Sequence, residues 1–561
     1  MRTFDRSLNS SDRPYARLAA SIFFIAFFGC LFFPMMTDEA YDMDWARRVE
    51  FPSFGFFDHP PMVSWQAFLV RFWHSLTFAR FGALFAAIAG FYVNWRTAFL
   101  LTQNRASAWT AACVAHTTLG GIANSILLTP DSGLALCWSV ALHEGVYALT
   151  KNPHRWLSAG VATGVGLLSK YTMLLIGPVF LLGLILENRK QLKTPWPYLG
   201  GILALLVFLP NILWNKNNNW ETFRFQFRHG FYDTQKKSEI QSSNRTVYPG
   251  TRLPLAEGSY LGSSTMTLYQ NLKNAMDAVP GFDETYRKEH RIKSRLEYAW
   301  QYIGDYLGGV LALWGGFILW WVIQRKSITL AARNNWMICT RTPGFKFIVC
   351  GFAVPLAFFF LLSPFAKVEA NWPAMHIPAF AIFATMVWKH SFRMLVSIFS
   401  FHTVILLILI LISMFPSFLP FGRDNRLANE SNGYDKLVEL ITPQINGVLV
   451  VDSYQLKSMF AYLSPKIKTV QWPGITRASE YTRGAPEDLA RENELLSQRQ
   501  FYLVTFENIP PELPGYNATS LEGIRSCPDG TIGKYSTRHT VIPCEKGLRD
   551  WWLVSYQSVL D

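Results

Sequence analysis

Charge is scarce in this sequence: only 16% of its 561 residues are Asp, Glu, Lys or Arg, against roughly 25% in soluble domains. Carboxylates are the scarcer sign, 39 against 52 Lys and Arg, leaving a net charge of +13. Cysteine spacing of the metal-binding kind is missing. Of 7 cysteines, Cys30, Cys113, Cys137 and Cys350 lie in apolar runs and Cys339 in a short basic loop. No small-residue cleavage site follows the first apolar run, so Arg2, Arg6, Arg13 and Arg17 lead into an uncleaved first span instead of a removable signal peptide. No internal repeat is visible. The low charge excludes an ordinary soluble domain. The basic excess does not indicate nucleic acid, because Lys and Arg sit mainly in short loops between apolar runs, where they set orientation.

What the chain has is apolar length. Half of it is hydrophobic, with 44 Phe, 22 Tyr and 20 Trp. Runs such as "LAASIFFIAFFGCLFF" (18–33), "LGGILALLVFLP" (199–210) and "FHTVILLILILISMFP" (401–416) approach the ~20 residues that a bilayer-crossing helix needs. Eleven spans are predicted, near 16–35, 79–101, 107–128, 132–149, 156–169, 171–187, 197–214, 299–324, 345–363, 372–389 and 394–417. The two short ones meeting at "LLSKYT" (167–172) read as a broken or re-entrant pair. With the N-terminus inside, the cytoplasmic loops collect Arg105; Lys151 and Arg155; Arg189, Lys190 and Lys193; Arg325, Lys326, Arg333 and Arg341; and Lys389 and Arg393. The outer face then receives residues 36–78, the "TPD" turn, the region after Trp214, the "AKVEANW" turn (366–372) and everything after Phe418.

The predicted fold is therefore a polytopic α-helical membrane protein of about 11 transmembrane helices, N-in and C-out, with a small C-terminal α/β domain. Residues 1–418 make the membrane part, with outer loops 36–78 and 215–298, and residues 419–561 make the domain. In the first loop, "SWQAFLVRFWHSLTF" puts Trp65, Phe68, Leu69, Phe72 and Trp73 largely on one side of a surface helix. In the domain, "GVLVVDS" (447–453) and "QFYLVTFE" (500–507) read as strands, and "DKLVELI" and "PEDLARENELL" as helices. Cys527 and Cys544 lie together there and are candidates for a disulfide on an oxidising side of the membrane.

Chemistry concentrates at that outer face. Asp38, Glu39, Asp42, Asp44, Glu50 and Asp58 crowd into residues 36–62, immediately after the first span. Carboxylates at a membrane edge are costly without a role. Asp38 and Glu39 follow the first span, Asp131 opens another, and Lys170, Arg224, Arg228, His229, Lys367 and Glu369 belong to the same face. Such a set suits a carboxylate that activates a hydroxyl and cations that stabilise a departing phosphate. Glu39 is the rival of Asp38, since adjacent helical residues point in different directions. Asp131 after Thr129-Pro130 reads either as a functional group or as a helix cap.

The motifs "TDEAYDMDWARRVE…FFDHPPM", "LLTPDS" (127–132), "LLSKYT", "FLPNILWNKNNNWETFRFQFRHGF" (208–231) and "VEANWPA" (368–374) resemble, in order and spacing over residues 16–390, the membrane glycosyltransferases of the C-type superfamily. The resemblance is to the bacterial branch containing lipid A aminoarabinose transferases and protein O-mannosyltransferase-like enzymes. It implies inverting transfer of a sugar from a polyprenyl-phosphate (undecaprenyl-phosphate) donor to a periplasmic acceptor, lipid A or another glycolipid or glycan, at the bacterial inner membrane. O-glycosylation of exported proteins is the alternative, and a lipid or solute transporter the non-enzymatic one. The resemblance implies that Asp38 is the catalytic base or the carboxylate that orients the acceptor, and Lys170, Arg224 and Arg228 suit the phosphate. Where the aminoarabinose transferases carry Glu-Lys-Pro, this chain has Asp58-His59-Pro60, so a phosphate-contacting lysine is missing. His59 replaces it only when protonated or else serves as a hydrogen-bond donor, and the departure speaks against aminoarabinose as the donor sugar. Residues 232–296 form an insertion beyond the family's usual loop, with roles as a gate, an acceptor contact or a passive elaboration all open. Asp58, His59 and His229 are candidate ligands for a divalent metal.

Overall fold

The computed structural model describes residues 9–48, 51–231, 251–254, 256, 295–388, 392–418, 426–506, 511–535, 543–544 and 547–559. These fall into two compact units. One takes the described residues of Met1–Phe33, Trp45–Asp233 and Arg295–Leu406; the other takes those of Pro34–Asp44, Thr234–Ser294 and Leu407–Asp561.

The first unit is helical. Counting the whole chain, five described helices are long and apolar enough to cross a membrane: Arg13–Phe32, Leu76–Thr102, Trp196–Asn217, Phe345–Leu362 and Phe392–Met414, the last running into the second unit. Two further candidates are bent pairs, Leu119–Ile126 with Pro130–Thr150 at 115° and Leu296–Leu313 with Gly315–Val322 at 77°. The chain is thus a multi-pass membrane protein, with five to seven such spans among the described residues where the hydropathy pattern marks eleven. The difference lies in helices that break and in apolar helices of fewer than 18 residues, such as Ala374–Val387. The stretch 107–128 divides at Thr118, whose side chain caps the next helix by accepting from the Gly121 amide at 3.0 Å. The stretch 299–324 bends at Trp314, and the "LLSKYT" pair is divided into Trp156–Leu167, a 3₁₀ turn Tyr171–Leu175 and Ile176–Glu187. In the first loop the expected surface helix is cut short. Met62–Gln66 is helical and Phe68–Arg71 is a 3₁₀ turn, with Phe68, Phe72 and Trp73 exposed.

Packing in this unit relies on small residues. A Cβ on Gly160 would lie 2.0 Å from the Gly200 carbonyl, so helices Trp156–Leu167 and Trp196–Asn217 touch backbone to backbone. The last turn of the first helix is closed from outside: fully buried Arg80 donates to the Phe33 carbonyl at 2.6 Å, supplying a partner that the helix end lacks.

The second unit is a mixed six-stranded sheet in the order β2-β1-β3-β6-β4-β5: β1 Val448–Val451, β2 Lys468–Gln471, β3 Gln500–Thr505, β4 Tyr516–Ser526, β5 Ile532–Tyr535 and β6 Arg549–Ser558. Strand β1 runs parallel to both neighbours and is buried throughout, as its "VLVV" sequence requires. The expected strands and helices are present here, the helices being Tyr434–Ile441 and Pro486–Leu496. The unit reaches beyond 419–561, because it recruits the acidic stretch after the first span and part of the insertion. Of the insertion 232–296, most lies outside the described residues. Thr251 and Arg252 bond the Glu492 carboxylate at 2.9 and 2.7 Å, and Leu253 and Ala256 are buried in the core with Trp472. Burial raises the Glu492 carboxyl above its ordinary value, against those two bonds.

Cys527 and Cys544 form a disulfide with their Cα atoms 6.1 Å apart. The buried Arg525 guanidinium, paired with Asp550 at 2.7 Å, also holds the Cys544 carbonyl at 3.0 Å. The bond closes a short loop, so replacing both cysteines by serine is expected to destabilise the domain by about 3 kcal/mol. Limited proteolysis of the full chain during a temperature ramp checks this; equal melting of both forms would contradict it.

Candidate active site

Four of the five motifs knit into one framework within the helical unit. Its centre is Asp131, in the first turn of helix Pro130–Thr150, where the helix dipole favours a carboxylate. Thr129, not Asp131, occupies the N-cap position. Asp131 Oδ1 accepts from Lys170 Nζ at 2.7 Å and Oδ2 from Asn371 Nδ2 at 2.7 Å. Both charged residues are buried. The "TPD", "SKY" and "EAN" motifs thus meet at one carboxylate. Ser169 adds a bond from its hydroxyl to the Pro130 carbonyl at 2.7 Å. Gly133 permits the approach, since a Cβ there would sit 2.5 Å from Ser169 Oγ. Asp131 and Lys170 were expected to serve different partners in the reaction. They serve each other, because two opposite charges withdrawn from water are stabilised chiefly by direct pairing.

The fourth motif holds the first loop. Carbonyls of alternate loop residues each receive a side chain: Phe54 from Asn211 at 2.7 Å, Phe56 from Thr222 at 2.7 Å, and Asp58 from Gln226. Gln226 also meets His59 Nδ1 at 3.3 Å. Asn211 and Asn215 bond the Tyr171 hydroxyl, tying the motif back to "SKY". Between the two helices that supply these groups, Asn219 and Trp220 take left-handed backbone angles of 54° and 57°. Asparagine tolerates that region; tryptophan enters it only under tertiary constraint.

The cations divide. Arg224 is exposed and pairs with no carboxylate among the described residues. Lys367 and Glu369 form a half-exposed ion pair at 3.1 Å. The side chains of Arg228 and His229 lie outside the described residues. Among the described residues no three metal-ligating side chains come together. Of the three candidate metal ligands, Asp58 and His59 are adjacent in the first loop, and the side chain of His229 lies outside the described residues.

In the second unit, helix Thr37–Arg47 begins with the acidic pair, and its part up to Asp44 belongs there. Asp38 is the one exposed residue of this helix. Its Oδ1 accepts from the Tyr454 hydroxyl at 3.0 Å. Glu39, by contrast, is buried and folds back, Oε2 accepting from the Met36 amide at 3.2 Å. That is the N3 half of a capping box, a local structural use for the rival carboxylate.

The comparisons with known proteins agree with this frame. Residues 58–214 match the family described as dolichyl-phosphate-mannose-protein mannosyltransferase. Over 197 residues the chain is 26% identical to the lipid A galacturonosyltransferase RgtD of Rhizobium johnstonii, a match covering 34% of this chain and 40% of that one. The crystal structure of ArnT from Cupriavidus metallidurans bound to undecaprenyl phosphate aligns over 97% of this chain and 98% of its own, with a TM-score of 0.56 at 13% identity. Residues 58–214 thus carry the sequence pattern of a membrane glycosyltransferase family, and the chain as a whole has the fold of ArnT. ArnT contributes likeness of fold, and RgtD is matched over only two-fifths of its length.

The sequence did not mark Asn371, Gln226 and Tyr454. Asn371 and Gln226 lie inside motifs already marked, so spacing offered a signal. Tyr454 lies 416 residues beyond Asp38, and nothing local flags it.

Proposed function

We propose that the chain transfers a hexosyl or pentosyl group, with inversion, from a polyprenyl-phosphate carrier to a hydroxyl of lipid A or another periplasmic glycolipid or glycan. The observation carrying this reading is that Asp38 is the one exposed residue of an acidic helix whose other residues are buried or half-buried, while Glu39 caps the helix. Asp38 takes the acceptor proton as the acceptor oxygen attacks the anomeric carbon. The bond from that carbon to the phosphate oxygen breaks, and the carrier phosphate leaves with the electron pair. Charge grows positive on the sugar and negative on the phosphate, so Arg224, Arg228, His229 and Lys367 are the residues suited to the leaving group. Asp131 and Lys170, neutralising each other, hold the framework in place. No step is routed through a metal.

The likeness to RgtD favours lipid A as acceptor, and the ArnT complex favours an undecaprenyl-phosphate carrier. The description of the matching family supports protein O-glycosylation as the second reading. The match to a glycosyltransferase family weighs against a transporter. A bacterial inner membrane with the C-terminal unit on the periplasmic side fits the Cys527–Cys544 bond, since the five free cysteines all belong to the helical unit. Mass spectrometry of lipid A and exported proteins, with and without the gene, reads donor and acceptor together. The expected result is loss of one sugar mass from lipid A. Unchanged profiles for both, with no release of carrier phosphate by the purified chain, would overturn the reading.

A further inference from the structure

We propose that the C-terminal α/β domain holds the reactive carboxylate, with Tyr454 as the residue that positions Asp38 for proton transfer. The inference rests on Asp38 being the base, and extends that reading to a second part of the chain. Tyr454 opens a helix directly after β1, the middle strand of the parallel trio. In open α/β sheets the carboxyl ends of such strands are where ligands bind, because loops diverge there and leave a crevice. Here that edge grips the acidic helix instead.

The grip follows one helical face. Ser458 Oγ donates to the Thr37 carbonyl at 3.4 Å, the Tyr41 hydroxyl accepts from the Glu480 amide at 2.7 Å, and the Tyr481 hydroxyl donates to Asp44 at 3.0 Å. Positions 37, 41 and 44 recur at the helical period, and Asp38 lies at the margin of that face. The Tyr41 and Tyr454 rings are 4.5 Å apart, and the Arg477 guanidinium lies 4.1 Å from the Tyr454 ring centre on its face. Tyr454 is therefore held by its ring, through the tilted contact with Tyr41 and the Arg477 guanidinium, as well as by its hydroxyl. That hydroxyl donates to Asp38 at 3.0 Å.

The charged surroundings of Asp38 are mixed. Glu39 and Asp42 share its helix. From the domain, Tyr434 senses Asp38 together with Glu430, Asp452 and Arg549, burial and the carboxylates raising its phenol while Arg549 lowers it. With carboxylates this numerous, a donated hydrogen bond favours the ionised Asp38 and fixes its rotamer. Tyr454 keeps its proton throughout; the acceptor proton goes to Asp38.

The test uses the purified full-length chain and a synthetic polyprenyl-phosphate sugar. Tyr454→Phe retains the ring and loses only the hydroxyl. Its kcat is expected to fall about tenfold with KM for the donor nearly unchanged, as loss of a hydrogen bond to a charged group implies. Without the donor, the Asp38 carboxyl is harder to ionise. The acidic limb of the pH profile, where activity is lost as Asp38 takes up a proton, therefore moves to higher pH. Tyr481→Phe removes a comparable bond from the same face and is expected to lower thermal stability without moving that limb. Wild-type kcat and pH profile in Tyr454→Phe would overturn the proposal, and so would an equal pH displacement in Tyr481→Phe. Asp38→Asn separates the two levels: if it stays active, the assignment of the base fails; if it is dead while Tyr454→Phe behaves as wild type, only the positioning role fails.

Discussion

Asp38→Asn is expected to abolish transfer, with kcat down by roughly 10²–10⁴-fold, the range that a positioned general base contributes. The amide oxygen of asparagine still accepts from Tyr454, so the helix keeps its docking and the thermal midpoint should be unchanged. What asparagine cannot do is take the acceptor proton. Glu39→Gln is the informative counterpart. Glu39 Oε2 accepts from the Met36 amide, a bond that the glutamine oxygen keeps, so stability should change little and catalysis be largely kept. Turnover with purified protein and a lipid-linked sugar reads both variants. An active Asp38→Asn beside a dead Glu39→Gln would move the base to Glu39.

Lys170→Met is expected to destabilise the helical unit by about 3–5 kcal/mol, because it leaves Asp131 buried without its cation. The lost partner sits 2.7 Å away, and the Asn371 amide alone cannot compensate a carboxylate inside the protein. Pairing it with Asp131→Leu should recover most of the loss, since an apolar pair of similar volume needs no desolvation of charge. A double-mutant cycle on thermal unfolding in detergent measures the coupling. Additive losses would show that the two residues act separately, and with that the framework role assigned to the pair would go.

The first unit shows what hydropathy does and does not register about a span. Apolar composition marks where a segment tolerates lipid, and it does so correctly for Arg13–Phe32 or Phe345–Leu362. It does not register the Thr118 cap that divides one run or the bend at Trp314 that divides another, because a break depends on local capping and backbone geometry that apolarity does not measure. Strands β1 and β3 were legible from continuous β-branched and aromatic runs. Strands β4 and β6 were not: "YNATSLEGIRS" and "RDWWLVSYQS" carry polar residues whose burial depends on the sheet they join.

The candidate site divides along the same line. Residue types and spacing alone determined a multi-pass chain with carboxylates gathered after its first span, because length, apolarity and spacing are properties of the chain itself. Which carboxylate is open and which is consumed was decided only by tertiary structure. Asp131 is neutralised by Lys170, Glu39 closes its own helix, and Asp38 is held by a tyrosine 416 residues away. A carboxylate's chemistry is set by the donors within about 3 Å of its oxygens, and in a folded chain those donors come from segments that no local pattern connects.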